Sequence, residues 1–178
     1  LKILTKYLVG YIGNMVPVKN VMVLPDIFRR IQSILHDVSF VVIGNGDLLN
    51  NLKAKTKEYN IQNISFTGKL LPEEIPAIMY SLDLLLLPSL NEGMPRVTVE
   101  ALSLGVPIIG SNVGGIPESI GKTNCFNLDN DFIKNISNRA IEILKNGKNP
   151  DPLSKEFSWE NTLEKEMNVY KKLLESKY

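Results

Sequence analysis

Four consecutive leucines, Leu84 to Leu87, constrain the fold more than any other stretch of this chain. A short run that is apolar at every position suits a strand buried on both faces, as strands of parallel sheets are. The run is followed by a turn at Asn91-Glu92-Gly93 and then by Pro95, a residue pre-organised for the first position of a helix. The leucine run therefore predicts a strand that leads through a glycine turn into a helix.

The residues that follow extend this unit. The helix is expected to end near Gly105, because a glycine followed by proline is typical of a helix C-terminus. A further strand is predicted at Val106 to Ile109, ahead of a second turn at Gly114-Gly115. Strands that alternate with helices in this way indicate an α/β fold with a parallel sheet.

An acidic residue lies on the predicted helix. Val97, Ala101 and Leu104 are spaced four and three residues apart and mark the face turned to the sheet. Glu100 lies on or beside this stripe, so we expect a buried carboxylate that needs a hydrogen-bond donor. The free N–H groups of the first helical turn form an anion site. A ligand with a phosphate at the helix start and hydroxyls at Glu100 would be a nucleotide. Each glutamate taken alone also has a simpler interpretation. Glu92 could be a loop acid favoured by the helix dipole, and Glu100 could extend its carboxylate into solvent.

The order of these motifs resembles the signature of one enzyme group. It comprises Glu92-Gly93-Met94-Pro95, Glu100, Gly105-Val106-Pro107 and Gly114-Gly115-Ile116-Pro117-Glu118. It is similar to that of the retaining, glycogen-synthase-like glycosyltransferases of the GT-B fold, also called glycosyl transferases group 1. The resemblance implies a Rossmann-like, doubly wound sheet of about six parallel strands with helices on both faces, which is one half of a GT-B fold.

The same resemblance implies the domain organisation. Residues 1–178 would form a single, carboxyl-terminal domain that binds a nucleotide-diphosphate sugar, with a linker at 146–156 and a closing helix at 157–176. The acceptor-binding amino-terminal domain would be missing, and since the sequence does not begin with methionine we expect a fragment. The fragment alone is then expected to transfer no sugar, although the whole enzyme would be a glycosyltransferase of the hexosyltransferase type.

The loop after the first predicted strand matches the family in part. In the family a glycine-arginine pair and a lysine five residues later face the donor's diphosphate. Lys19 matches that lysine, whereas Asn14 stands in place of the arginine. The substitution removes a charge and a bidentate contact, so either catalysis is impaired or a cation from elsewhere replaces it.

The resemblance also implies a role for each site residue. Lys19 and the backbone of Gly93-Met94-Pro95 would hold the diphosphate and stabilise the leaving group. Glu100 would accept hydrogen bonds from the ribose, and Glu92 would orient the transferred sugar without acting as a nucleophile. Lys19 and Glu92 are the catalytic candidates. The donor-binding candidates are Asn14, Lys19, Gly44, Gly68, Lys69, Leu70, Glu92, Gly93, Met94, Pro95 and Glu100.

Four of these candidates come from two loops that follow other predicted strands. Ligands bind at the carboxyl ends of strands in open parallel sheets. Gly44 opens the turn Gly44-Asn45-Gly46-Asp47, in which Asp47 is expected to cap the next helix. The loop Gly68-Lys69-Leu70 would contact the nucleotide base through its backbone, as the family resemblance implies. Asp83, ahead of the leucine run, is interpreted as structural.

Composition and charge exclude other partners. With 20 basic and 19 acidic residues, the chain has no field suited to nucleic acid. It contains no apolar run long enough for a transmembrane segment, and its single cysteine, Cys125, indicates the cytoplasm. Peripheral association of the full enzyme with the inner face of the membrane stays open.

We expect neither a cofactor nor a metal ion. Asp129-Asn130-Asp131 matches the pattern of a metal-binding D-x-D motif, but it precedes a helix with an apolar stripe. An N-cap formed by Asp129 or Asn130 is therefore the favoured interpretation.

Three other function classes are considered. A non-catalytic or degenerate nucleotide-sugar-binding module would account for Asn14. A sugar-nucleotide epimerase half would share the architecture but would need its own catalytic acids. A doubly wound signalling domain is disfavoured, because no acidic cluster follows the predicted strands. Synthesis of a bacterial surface polysaccharide or a glycolipid is the setting suggested by family analogy alone.

Overall fold

A computed structural model describes residues 5–147 and 157–175. Its sheet has six strands, which are β1 (Tyr7–Ile12), β2 (Val38–Ile43), β3 (Ile64–Gly68), β4 (Leu84–Leu87), β5 (Ile108–Ser111) and β6 (Cys125–Phe126). They lie in the order β3-β2-β1-β4-β5-β6, and all five pairings are parallel. The predicted six-stranded, Rossmann-like sheet is confirmed.

Helices cover both faces of this sheet. They are α1 (Leu24–Ile34), α2 (Leu49–Glu58), α3 (Ile75–Ser81), α4 (Arg96–Ser103), α5 (Ile116–Ile120), α6 (Phe132–Asn146) and α7 (Trp159–Glu175). One hydrophobic core contains side chains of α1, α2 and α6, and the other contains side chains of α3, α4 and α5. Most of the predicted linker at 146–156 lies outside the described residues. No helix within the described ranges has the length and apolarity to cross a membrane.

The leucine run forms the strand that the sequence predicts. Leu84 and Leu86 belong to one core, whereas Leu85 and Leu87 belong to the other. Each is at most 3% exposed. Alternate side chains of a strand point to opposite faces, so a strand covered by helices on both faces must be apolar at every position.

The sheet reverses its direction of growth between β1 and β4. The chain adds β2 and β3 on one side of β1 and then returns to place β4 on the other. Asp83 joins the two strands, because Leu8 N donates to its Oδ2 at 2.8 Å and its own N donates to the Leu8 carbonyl at 2.8 Å. The structural interpretation of Asp83 is confirmed. Such a reversal opens a crevice at the carboxyl ends of the strands.

Several predicted element boundaries are wrong. Strand β5 begins two residues later than predicted, because Val106 N still donates to the Ala101 carbonyl of the preceding helix. Helix α2 has Leu48 at its N-cap position, so Asp47 does not cap it. Helix α6 has Asp131 at its N-cap position, and Asp129 instead accepts from Asp131 N in a local turn.

Candidate functional site

A cleft of about 320 Å³ lies at the carboxyl ends of β1 and β4, where the sheet reverses. Its walls come from the loop after β1, the loop after β4, the start of α4 and one residue of α3. They consist of Tyr11, Ile12, Gly13, Asn14, Lys19, Ile75, Leu87, Glu92, Pro95, Arg96, Val97 and Glu100. Five of the predicted donor-binding residues line this cleft, namely Asn14, Lys19, Glu92, Pro95 and Glu100.

The two predicted catalytic residues contact each other. Lys19 Nζ lies 2.6 Å from Glu92 Oε1, and the side chains are 27% and 9% exposed. The Ser89 hydroxyl donates to the same oxygen at 2.8 Å. A carboxylate that accepts from an ammonium and a hydroxyl makes strong, charge-assisted hydrogen bonds. The side chain of Glu92 is therefore held in a fixed position by the protein.

A buried polar network supports the Glu92 loop from below. Ser89 and Ser111 are completely buried, and the Ser111 hydroxyl donates to the Ser89 carbonyl. Leu90 N donates to the Val18 carbonyl at 2.8 Å, which joins the loop after β4 to the loop after β1. Sequence reasoning assigned no role to either serine, although Pro88-Ser89 precedes Glu92-Gly93 at the fixed spacing of the family signature. Ser111 carried no signal except a hydroxyl at the end of an apolar strand.

The second glycine turn, Gly114-Gly115, packs directly against the loop that contains Glu92. A Cβ on Gly114 would overlap the Glu92 carbonyl oxygen, and the φ angle of Gly114 is +51°. Gly115 N donates to the Gly93 carbonyl at 2.8 Å. These positions need glycine because the two backbones approach too closely for any side chain.

Tyr11 supports the loop after β1. Its hydroxyl donates to the Asn14 carbonyl at 2.8 Å. Burial raises the pKa of Tyr11 far above its usual range, and the charge of Glu92 raises it further. The phenol therefore stays protonated, and continues to donate, above the pH at which a free tyrosine ionises.

Gly44 and Gly68 lie outside the lining of the cleft. A Cβ on Gly44 would overlap the Gly13 carbonyl, and Gly44 N donates to the Gly68 carbonyl at 2.9 Å. Met15 N in turn donates to the Asn45 carbonyl at 2.9 Å. The absence of a side chain at Gly44 thus allows the loop after β1 to approach closely, and the Asn45 carbonyl holds that loop. The assignment of Gly44 and Gly68 to donor binding stays a prediction.

Glu100 is exposed, so the prediction of a buried carboxylate is wrong. Helix α4 buries Thr98, Ala101 and Leu102. The other two residues of the predicted stripe, Val97 and Leu104, are partly buried and pack against the same core as Ala101. Thr98 can face the core because its hydroxyl donates to the Pro95 carbonyl at 2.7 Å. Among the described residues the side chain of Glu100 forms no hydrogen bond and no ion pair. Its carboxylate is free to bind a ligand without losing a contact in the protein.

A second, apolar pocket of about 410 Å³ adjoins the cleft. It is lined by Lys69, Leu70, Pro72, Ile75, Pro76, Met79, Glu100 and Leu104. Ile75 and Glu100 belong to both pockets, so Glu100 lies where a polar cleft meets an apolar one. The predicted residues Lys69 and Leu70 are thereby brought near Glu100.

Of the predicted Gly93-Met94-Pro95 segment, only Pro95 belongs to the lining of the cleft. Gly93 and Met94 are exposed, and Met94 retains 45% of its surface. Pro95 is buried and directly precedes α4. No group of three or more His, Cys, Asp or Glu side chains placed to hold a metal ion occurs within residues 5–147 and 157–175.

A doubly wound parallel sheet with a polar cleft at its reversal point, bounded by a helix start and two glutamates, defines one half of a GT-B glycosyltransferase. Comparison with known proteins agrees. The chain belongs to the family described as "Glycosyl transferases group 1", whose profile matches residues 1–158.

Three similar proteins illustrate the relationship. An uncharacterized glycosyltransferase of Methanocaldococcus jannaschii is 28% identical over 171 residues, which cover 92% of this chain and 47% of that protein. The UDP-Gal:alpha-D-GlcNAc-diphosphoundecaprenol alpha-1,3-galactosyltransferase of Escherichia coli is 36% identical over 111 residues, covering 58% and 27%. The crystallised C-terminal domain of a glycosyl transferase group 1 family protein (LpcC) from Francisella tularensis has a TM-score of 0.70 and 24% identity, covering 81% and 78%. The chain thus spans about half of the first relative and about a quarter of the second.

Proposed function

We propose that this chain is the donor-binding half of a retaining glycosyltransferase that transfers a sugar from a nucleoside diphosphate to an acceptor. One observation carries the proposal. A lysine, a helix start and a carboxylate without a partner in the described structure converge on one cleft, which adjoins an apolar pocket. Together they offer a binding surface for each part of a nucleotide sugar.

The diphosphate is placed between Lys19 and the start of α4. The N–H groups of a first helical turn attract anions, and the ammonium of Lys19 adds hydrogen-bond donors, although it shares its charge with Glu92. As the bond between the sugar and the phosphate breaks, negative charge grows on the leaving diphosphate. Fixed positive groups stabilise that charge without reorganising, which is the main electrostatic contribution to such a step. Under this proposal these groups hold the diphosphate without a metal ion.

The nucleoside is placed on the other side of Glu100. The ribose hydroxyls donate to the exposed carboxylate, and the base enters the apolar pocket beside Leu70 and Leu104. A pocket of about 410 Å³ is within the usual size of small-molecule sites. The location of Glu100 at the junction of the two pockets fits a ribose, which joins the base to the phosphates.

Glu92 is assigned to the transferred sugar. Its position is fixed by Lys19 and Ser89, so it can accept from sugar hydroxyls without a search among rotamers. It is proposed as an orienting and charge-stabilising group. Neither Glu92 nor Glu100 is proposed as a nucleophile.

The acceptor is assigned to an amino-terminal domain that lies outside this chain. Helix α7 offers a surface for that domain. Four of its exposed apolar side chains are spaced four, three and four residues apart, which places them on one face, with Val169 exposed beside them. They are Leu163, Met167, Tyr170 and Leu174.

We place the whole enzyme in the cytoplasm, at the inner face of the membrane, and assign it to surface-polysaccharide or glycolipid synthesis. Cys125 is a free thiol, which suits a reducing compartment. The relative from Escherichia coli is named for a lipid-linked sugar substrate.

Thermal unfolding with UDP, GDP and ADP tests the proposal. At about a hundred times its dissociation constant the correct nucleotide should add roughly 2.7 kcal/mol. This corresponds to a rise in Tm of about 5–11 °C for a chain of this size. Glu100→Ala should abolish the rise, whereas Glu58→Ala, at an exposed acid at the end of α2, should preserve it. An unchanged Tm with all three nucleotides, or an equal rise in Glu100→Ala, contradicts the proposal.

A degenerate binding module is the second candidate, and Asn14 favours it because this residue brings no charge to the cleft. This alternative predicts nucleotide binding without sugar transfer, even when the chain is joined to its acceptor domain. It also predicts that Asn14→Arg restores no transfer. Transfer by the joined enzyme with Asn14 unchanged excludes the alternative.

A further inference from the structure

Only one cation and one acid of the cleft form an ion pair with each other. Two cations, Lys19 and Arg96, and two acids, Glu92 and Glu100, line it. Lys19 lies 2.6 Å from Glu92, so its charge is largely compensated within the protein. A multiply charged diphosphate would find at Lys19 an ammonium that is already shared.

Arg96, unlike Lys19, has no acidic partner among the described residues. It is exposed, and in the described part of the chain it forms neither an ion pair nor a hydrogen bond through its side chain. It is not paired with Glu100 either, although that acid lies four residues later on the same helix. Its positive charge is therefore uncompensated.

The position of Arg96 in α4 is electrostatically unfavourable without an anion. It is the first residue of the helix, where the aligned peptide dipoles already concentrate positive charge. A cation at this position is repelled by the helix end. An anion in the cleft would reverse the effect, because the guanidinium and the helix start would then attract the same group.

We infer that Arg96 is a diphosphate-binding residue, which supplies the charge that Asn14 lacks on the facing loop. The inference rests on the proposed function. A guanidinium can donate two parallel hydrogen bonds to phosphate oxygens, which an ammonium cannot. Arg96 thus discriminates nucleoside diphosphates from nucleosides, whereas Glu100 and the apolar pocket bind both.

Titration of the 178-residue chain with UDP, GDP and ADP, and with uridine, guanosine and adenosine, tests this inference. Arg96→Gln should weaken binding of the preferred diphosphate about ten- to a hundredfold, the usual effect of losing a charged hydrogen bond. Binding of the matching nucleoside should change less than about twofold. Arg96→Lys should recover part of the loss, because it keeps the charge without the planar fork. Arg30→Gln, at an exposed arginine of α1 outside the cleft, is the matched control and should bind both ligands normally.

The outcomes separate the inference from the proposed function. If Arg96→Gln weakens diphosphate and nucleoside binding equally, or weakens neither, the role of Arg96 is overturned. The proposed function survives that result as long as diphosphate binding still depends on Glu100. Failure of the unsubstituted chain to bind any of the diphosphates overturns both.

Discussion

The two glutamates of the cleft have the same side chain but differ in exposure and in the number of their hydrogen-bond partners. The side chain of Glu92 is 9% exposed and is held by Lys19 and Ser89, whereas Glu100 is exposed and has no partner in the described structure. The fold has already fixed the first group and leaves the second to a ligand. Substitutions near Glu92 should therefore lower stability, whereas substitutions at Glu100 should change binding alone.

The largest effect is expected from Gly114→Ala, which tests how firmly the Glu92 loop is held. The added Cβ meets the Glu92 carbonyl, and the positive φ angle is strained for alanine. We expect a loss of about 3 kcal/mol of unfolding free energy. Thermal unfolding should show Tm lower by roughly 6–12 °C.

A matched control separates the overlap from the backbone strain. Gly68 also has a positive φ angle, +72°, but a Cβ there meets nothing within 4 Å. Gly68→Ala should therefore cost only about 1 kcal/mol. Equal losses for the two variants would show that the contact with the Glu92 loop contributes nothing.

An intermediate effect is expected from Lys19→Met, which leaves the buried carboxylate of Glu92 without its cation. We expect a loss of about 1–2 kcal/mol, because a charge in a largely buried position is costly when it is unpaired. The surface pair of Lys134 and Asp131, with side chains 59% and 66% exposed, is the control. Lys134→Met should cost less than about 0.5 kcal/mol. Similar losses from denaturant unfolding would contradict the distinction between a fixed and an open part of the cleft.

The smallest effect on stability is expected from Glu100→Gln. An exposed side chain that breaks no contact when it changes should alter the unfolding free energy by less than about 0.5 kcal/mol. Denaturant unfolding without nucleotide measures this. A loss above 1 kcal/mol would place Glu100 among the fixed groups.

The sequence predicted the parts of the fold that follow from local patterns. The leucine strand β4 and the first strand β1 need only a run of apolar residues between turns. The start of β5 was predicted two residues too early, because the backbone hydrogen bond from Val106 to Ala101 continues the helix end past Gly105. The spacing of apolar residues in a sequence gives no information about a single backbone hydrogen bond of this kind.

The candidate site was predicted in composition but not in geometry. The contact between Lys19 and Glu92 joins residues that are 73 positions apart in the sequence, so no local pattern could indicate it. The predicted stripe of α4 does pack against the core, but Glu100 beside it is exposed. The burial of Thr98 was not predicted, and it is possible because the Thr98 hydroxyl donates to the Pro95 carbonyl. The roles of these residues in binding a donor stay predictions.

The pairing of β4 with β1 has a consequence for how the chain is made. Strand β1 has its partner β2 once residues 38–43 have emerged, but its other edge stays open until residues 84–87 have emerged. The hydrogen bond from Leu8 to Asp83 spans 75 positions and cannot form earlier. An open, apolar strand edge is a site at which nascent chains can pair with one another. A central strand of the finished sheet is thus an open edge during translation, until β4 has been made.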